Sequence, residues 1–211
     1  PIGTLGTVIN DDGYCYEAPL RRPSIAIANI GGDALPIVIA NGYATKYADG
    51  CTPDYFYISD GNIPSHVNDD KIIVPYTGNS TPYCQLFTWQ QREAIKECNA
   101  PIKFLEVNAS TSIDEVVSAI DSTVVIVLHS NHLNAPGEMQ AFAHKCVEGG
   151  VKNPIVMRVD YANASLDDVT LMAAADLGSM LLNGNRDGVW LNAPQVEVAT
   201  VARLSFGILQ A

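Results

Sequence analysis

The chain has 211 residues, 47% hydrophobic and 17% charged, with 23 acidic against 12 basic side chains and a net charge of −11. So apolar a composition excludes a disordered chain, and the length suffices for a real core. The acidic balance argues against a nucleic-acid partner, which needs a basic stripe to displace counterions from phosphates. The longest aliphatic run, Val124 to Leu128, is far short of the ~20 residues that span a membrane.

Residues 1–23 read as an irregular lead-in of weak alternation, with Asp11-Asp12-Gly13 as a hairpin turn. Strands are expected at Ser24 to Ile30, Asp54 to Ser59 and Lys71 to Pro75, with a helix within Leu35 to Ala48 and another over Trp89 to Cys98. From residue 100 the alternation becomes regular. Pro101 to Val107 reads as a strand, and Ser112-Ile113-Asp114-Glu115 as a capping box opening a helix with Ile113, Val116, Val117 and Ile120 on one face. Thr123 to Leu128 is a β-branched run suited to a strand buried on both sides. Met139, Phe142, Ala143, Cys146 and Val147 form the next helical stripe, closed by Gly149-Gly150. Pro154 to Asp160 is a strand, and Ser165 to Asp168 caps a helix running to about Leu177. Gly178 to Asn183 is expected as a short strand and Gln195 to Leu209 as the closing helix.

This order is that of parallel strands with helical crossovers. Strands near residues 27, 57, 73, 105, 126, 157 and 180 make an α/β fold, a compact or incomplete (β/α) barrel with parallel strands; a doubly wound open sheet is the alternative. No composition shift marks a linker, so residues 1–211 are expected to form one domain. The opening Pro1-Ile2-Gly3-Thr4, without Met or an apolar leader, suggests a domain excised from a longer chain.

In such folds chemistry sits at the carboxyl ends of strands. The polar residues expected there are Asn29, Asp60, Tyr76, Glu106, Asn108, His129, Asp160 and Asn183, of which Glu106, His129 and Asp160 could form an acid/base set. Strand ends turn polar in any case, so no catalytic residue is assigned. His129-Ser130-Asn131-His132 spaces two imidazoles for a metal, but no carboxylate or thiol accompanies them locally; His144, beside Lys145, reads as exposed. The five cysteines, Cys15, Cys51, Cys84, Cys98 and Cys146, are odd in number and lack any Cys-x-x-Cys pair. They read as reduced thiols of a cytoplasmic protein, not as metal ligands. Neither phosphate-loop pattern occurs: Gly31-Gly32-Asp33 places an acid where phosphate would lie, and Arg21-Arg22-Pro23 reads as an exposed entry.

The passage from Asp176 through Leu177-Gly178-Ser179-Met180-Leu181-Leu182 to Asn183-Gly184-Asn185-Arg186-Asp187-Gly188-Val189, followed by a helix ending Phe206-Gly207-Ile208-Leu209-Gln210-Ala211, resembles the 4-hydroxy-3-methylbut-2-enyl diphosphate synthases. These are iron–sulfur enzymes of the non-mevalonate isoprenoid pathway. Residues 154–161 and 166–176 are similar to their large, three-domain form. The resemblance implies an inserted, barrel-like middle domain, lying between a substrate barrel and a C-terminal domain that carries a four-iron–four-sulfur cluster. It implies no cofactor in this chain, the other domains of the same polypeptide as partners, and a spacer role. Where the family pattern has Asp-Gly-x-Gly-Asp-Gly, this chain has Asn183 and Arg186 in place of an acid and a glycine. Gly184, Asp187 and Gly188 are expected to shape a turn from the last strand to the closing helix, with positive φ at the glycines. Two alternatives stay open: a free-standing (β/α) lyase or hydrolase using Glu106, His129 and Asp160, and a small-molecule binding domain.

Overall fold

A computed structural model describes residues 5–9, 15–19, 37–100, 102–181 and 187–209. Strands β1 (Leu5–Ile9) and β2 (Cys15–Pro19) pair antiparallel, Ile9 opposite Cys15; the turn read at Asp11-Asp12-Gly13 lies outside the described residues. Eight further strands close a barrel: β3 (Ile37–Asn41), β4 (Tyr55–Tyr57), β5 (Ile72–Pro75), β6 (Cys84–Phe87), β7 (Lys103–Asn108), β8 (Val124–His129), β9 (Ile155–Asp160) and β10 (Gly188–Asn192). Every neighbouring pair is parallel, and β10 returns to β3 with Gly188 beside Ile37. The open-sheet alternative is thereby excluded. Helices α1 (Ile113–Ala119), α2 (Ala135–Glu148), α3 (Leu166–Leu181) and α4 (Val198–Leu209) cover one side. The β6–β7 crossover is a 3-10 helix, Trp89–Glu97, and the described connections between β3 and β6 contain no α-helix, which makes the barrel compact.

Two layers of core follow from strand alternation. One cluster draws on all eight barrel strands and no helix: Ile37, Ile39, Tyr55, Ile73, Cys84, Leu86, Phe104, Val125, Val127, Val156 and Trp190 fill the interior. The residues between them, such as Leu105, Ile126, Met157 and Val189, face outward beneath Val116, Phe142, Ala173 and Val201 of the helices. Full burial of each such aliphatic side chain contributes about 1.5–3 kcal/mol, so strands buried on both faces hold the fold.

Several expectations are corrected. No helix forms in the described part of Leu35 to Ala48, residues 37–48. Ile37-Val38-Ile39-Ala40 is a mostly β-branched run with both faces buried, and it becomes β3. Gly178 to Leu181 continues α3 because Val169, Ala173, Leu177 and Met180 are one buried helical stripe; the last strand is β10 instead. The Asn183 to Gly188 passage therefore links α3 to β10, not a strand to the closing helix. Gly184 lies outside the described residues. Gly188 does not have a positive φ; it begins β10, where a Cβ would stand 2.7 Å from the Ile37 carbonyl oxygen. Strand β6 was not foreseen, and the expected strand at Ser24 to Ile30 lies outside the described residues. Ser112 precedes α1 without a side-chain cap bond, and the closing helix starts at Val198 instead of Gln195. By contrast, Asp168 N–H donates to the Ser165 hydroxyl at 3.2 Å, and Gly150 ends α2 at φ 71°. Among the described residues, no helix is long and apolar enough to cross a membrane.

Candidate functional site at the barrel mouth

Because β3 to β10 are all parallel, their carboxyl ends share one rim. The inward-facing parity at that rim brings together Asn41, Tyr57, Glu106, Arg158, Asp160, Trp190 and Asn192. Arg158 organises them. Its Nη1 donates to Glu106 Oε1 at 2.6 Å, while Nε and Nη2 grip Asp160, Nη2 to Oδ1 at 3.0 Å. The guanidinium also lies over the Trp190 ring, 4.8 Å from its centroid. From Trp190 the network continues: its Nε1 donates to Asn41 Oδ1, Asn41 Nδ2 donates to Asn192 Oδ1 at 2.7 Å, and Asn192 Nδ2 donates to Asp160. Four strands are thus joined by one chain of hydrogen bonds.

The side chains of Arg158 and Glu106 are 21% and 22% exposed, partly shielded from water. Tyr57, whose ring lies 5.0 Å from Trp190, has its phenol pushed above the usual range by burial, with the Glu106 charge adding and Arg158 opposing. His129 is held below the ordinary imidazole value by burial, which outweighs the attraction of Glu106 and Asp160. At neutral pH it is therefore an uncharged base.

The expected strand-end residues separate cleanly. Glu106, His129 and Asp160 do gather at the mouth. Asn108 does not join the network; its Oδ1 accepts from the Ser110 N–H at 3.0 Å and shapes a turn. Asp60 accepts from the Asn62 N–H and amide in an exposed bend, which lowers its carboxyl below the usual range. Tyr76 stacks on Phe87 at 4.3 Å. Asn29 and Asn183 lie outside the described residues. His132 Nδ1 accepts from the Asn134 N–H at 3.1 Å, a local turn, and His144 is exposed on α2. Asp187 Oδ2 accepts the backbone N–H of Ile155 at the foot of β9, 3.0 Å away, a bond between strands and not within its own turn.

Reading strand ends alone missed Arg158, Tyr57, Asn41, Trp190 and Asn192. One signal was present: a single cation inside the otherwise aliphatic Ile155-Val156-Met157-Arg158-Val159 requires a partner.

Chemically, the arrangement stabilises itself. Arg158 commits Nε and both terminal nitrogens to two carboxylates, whose charges more than balance its own. Beneath it Trp190, Tyr55 and Phe104 fill the barrel, the latter two rings 5.3 Å apart. Beside the rim, between Asn41, Asn192 and Val196, Val198 and Val201, lies a hollow of about 210 Å³. That is below the usual size of a ligand pocket. An iron–sulfur cluster does not fit these residues. Among the described ones no three His, Cys, Asp or Glu side chains come together to hold a metal. Cys84 faces the barrel interior, Cys146 is on the buried face of α2, and the Cys98 thiol donates to Gln85 Oε1 at 2.9 Å.

Fold and mouth together define a closed, compact (β/α) barrel domain whose rim is bridged by an arginine-centred network. No family model matches the chain. It is similar to enzymes named 4-hydroxy-3-methylbut-2-en-1-yl diphosphate synthase (flavodoxin). With the protein of Bacteroides thetaiotaomicron it shares 32% identity over 207 residues, 94% of this chain and 33% of that one. Identity to the Phocaeicola vulgatus protein is 34% over 210 residues, again 94% of this chain and 34% of the relative. The Bacteroides fragilis protein shares 31% over 207 residues, 94% and 33%. The chain thus spans about a third of the length of the curated relatives it matches. The resemblance read near the C-terminus is borne out and extends along nearly the whole chain.

Proposed function

We propose that this barrel is a structural and interaction domain of a longer iron–sulfur 4-hydroxy-3-methylbut-2-enyl diphosphate synthase of the cytoplasm. In this reading it is the inserted middle domain, residues 1–211 forming one unit, with the other domains of the polypeptide as its partners. It holds the cluster-bearing domain over the substrate barrel and takes no part in bond making. The observation that carries the reading is the bridged mouth: Arg158 ties Glu106 and Asp160 together at the rim where a (β/α) enzyme would receive its substrate. The match to one third of the synthases supports the placement within a larger enzyme. A second reading, a (β/α) lyase or hydrolase, draws on the gathering of Glu106, His129 and Asp160.

One experiment separates them. In the longer enzyme, assayed anaerobically at equal cluster content, Glu106→Gln, His129→Ala and Asp160→Asn are expected to keep turnover within about threefold. A loss of about a hundredfold in a folded, cluster-loaded His129→Ala protein is what removing a general base produces, and would establish the second reading.

A further inference from the structure

At the mouth, the residues that follow each of the eight barrel strands are all described. Most polar groups there satisfy one another: Arg158, Asp160, Asn192, Asn41 and Trp190 share the hydrogen bonds of the network. Three groups are left over. Glu106 gives Oε1 to Arg158, and its Oε2 has no described partner. The Tyr57 hydroxyl and both ring nitrogens of His129 also lack a hydrogen-bond partner among the described residues, although neither side chain is fully exposed. A polar group shielded from water and left unpaired costs stability, so a ligand that pairs it is favoured.

The three groups share one centre. Glu106 is on β7 and His129 on the neighbouring β8, while Tyr57 comes from β4 on the opposite side of the barrel. Burial chiefly raises the Tyr57 phenol and lowers the His129 imidazole, but the Glu106 charge acts on both, raising each. Beneath them Trp190, Tyr55 and Phe104 fill the barrel, so an occupant caps the mouth and does not enter the interior.

Their chemistry selects the ligand. A carboxylate oxygen, a phenol oxygen and a neutral imidazole each offer an acceptor. The cation of the network, Arg158, is outbalanced by two carboxylates, so an anion finds no free charge. A hydroxyl donates one bond only. A primary ammonium brings one positive charge and three donors. Helices α1, α2 and α3 begin at this rim with Asp114, Glu115, Glu138, Asp167 and Asp168 in their first turns. Those acids suit the helix dipoles in any case; they deepen the negative field and do not define the site.

We propose that the barrel mouth is a binding site for a primary ammonium group, held by the free oxygen of Glu106, the Tyr57 hydroxyl and His129. A small free amine and a lysine side chain of another domain present this same group.

The test is a titration of this chain with ethylammonium chloride at pH 8, where His129 is uncharged, following its ring proton by NMR. Loss of the signal in His129→Asn assigns it. Saturation is expected with a dissociation constant of about 1–50 mM, the range open to so small a ligand. Tetramethylammonium has the charge without N–H donors and should bind at least about tenfold more weakly. Tyr57→Phe keeps the ring, removes one acceptor and should weaken binding by about tenfold, and Glu106→Gln by more. A shift that does not saturate overturns the site. So does one reproduced by tetramethylammonium or sodium chloride at equal ionic strength, or one unchanged in Tyr57→Phe. In the longer polypeptide, saturation of the same signal assigns a free amine. A His129 signal already at its amine-bound position assigns a lysine of another domain, and one fixed at the free position overturns the site in that protein. Turnover of the mouth variants judges the domain reading separately, so failure here leaves that reading standing.

Discussion

Gly188→Ala tests whether the barrel closes as tightly as its seam implies. An added Cβ would stand 2.7 Å from the Ile37 carbonyl oxygen, 2.9 Å from Ile37 Cβ and 3.2 Å from Ile37 N, against backbone that has no flexible end to move. Relief requires β10 to withdraw from β3. That movement strains the Gly188–Ile37, Val189–Val38 and Trp190–Ile39 pairings and the Ile37 N–H bond to the Asp187 carbonyl at 2.8 Å. Overpacking costs about 1–3 kcal/mol and each weakened backbone bond about 0.5–1.5 kcal/mol, so a loss near 3 kcal/mol is expected. For a domain of this size that lowers the melting temperature by roughly 6–12 °C, and by more for the branched Gly188→Val. Calorimetry with matched urea midpoints is the assay. A second variant separates close approach from backbone conformation. Asn tolerates a left-handed φ, so it would outperform Ala if φ mattered, but its larger side chain should make it worse here. An Ala variant melting within about 2 °C of the parent would refute the tight seam.

Other outcomes follow from the mouth and the core. Arg158→Met should cost about 2–3 kcal/mol by leaving Glu106 and Asp160 uncompensated, and adding Glu106→Gln should recover part of it in a double-mutant cycle; strictly additive losses would deny the coupling. His129 is held below its ordinary value of 6.5, so the folded chain binds its proton less readily than the unfolded chain does. Its contribution is present above that pH and is lost as pH falls through 6.5 toward the folded value; His129→Asn should flatten melting temperature against pH in that window. Burial, with the Asp70 charge adding, pushes the Cys84 thiol up to about 12. A thiol reagent at pH 8 should therefore modify the partly exposed Cys51 about a hundredfold faster than Cys84, with the rates converging in urea by peptide mapping.

Some of this was legible from residue order alone. Thr123 to Leu128 reads as a doubly buried strand because a β-branched run without polar interruption leaves few other states, Pro154 to Asp160 reads as a strand, and β8 and β9 follow. The α2 stripe of Met139, Phe142, Ala143 and Cys146 was equally plain, and all four are buried, whereas Val147, read with them, is exposed. Glu106, His129 and Asp160 could be assigned to one rim once the strands were taken as parallel. Tertiary structure decided the rest. Ile37 to Asn41 lies in a short apolar stretch whose periodicity suits helix or strand, and only partners on both sides make it β3. The four residues of β6 are too few to show a period. Gly188 is required by a strand some 150 positions away in the chain, and Arg158 meets Glu106 at a separation of 52 residues. Local periodicity records which face of a segment is buried. The identity of the neighbour across that face, and the bridging of a charged rim, arise only when the eighth strand returns to the first.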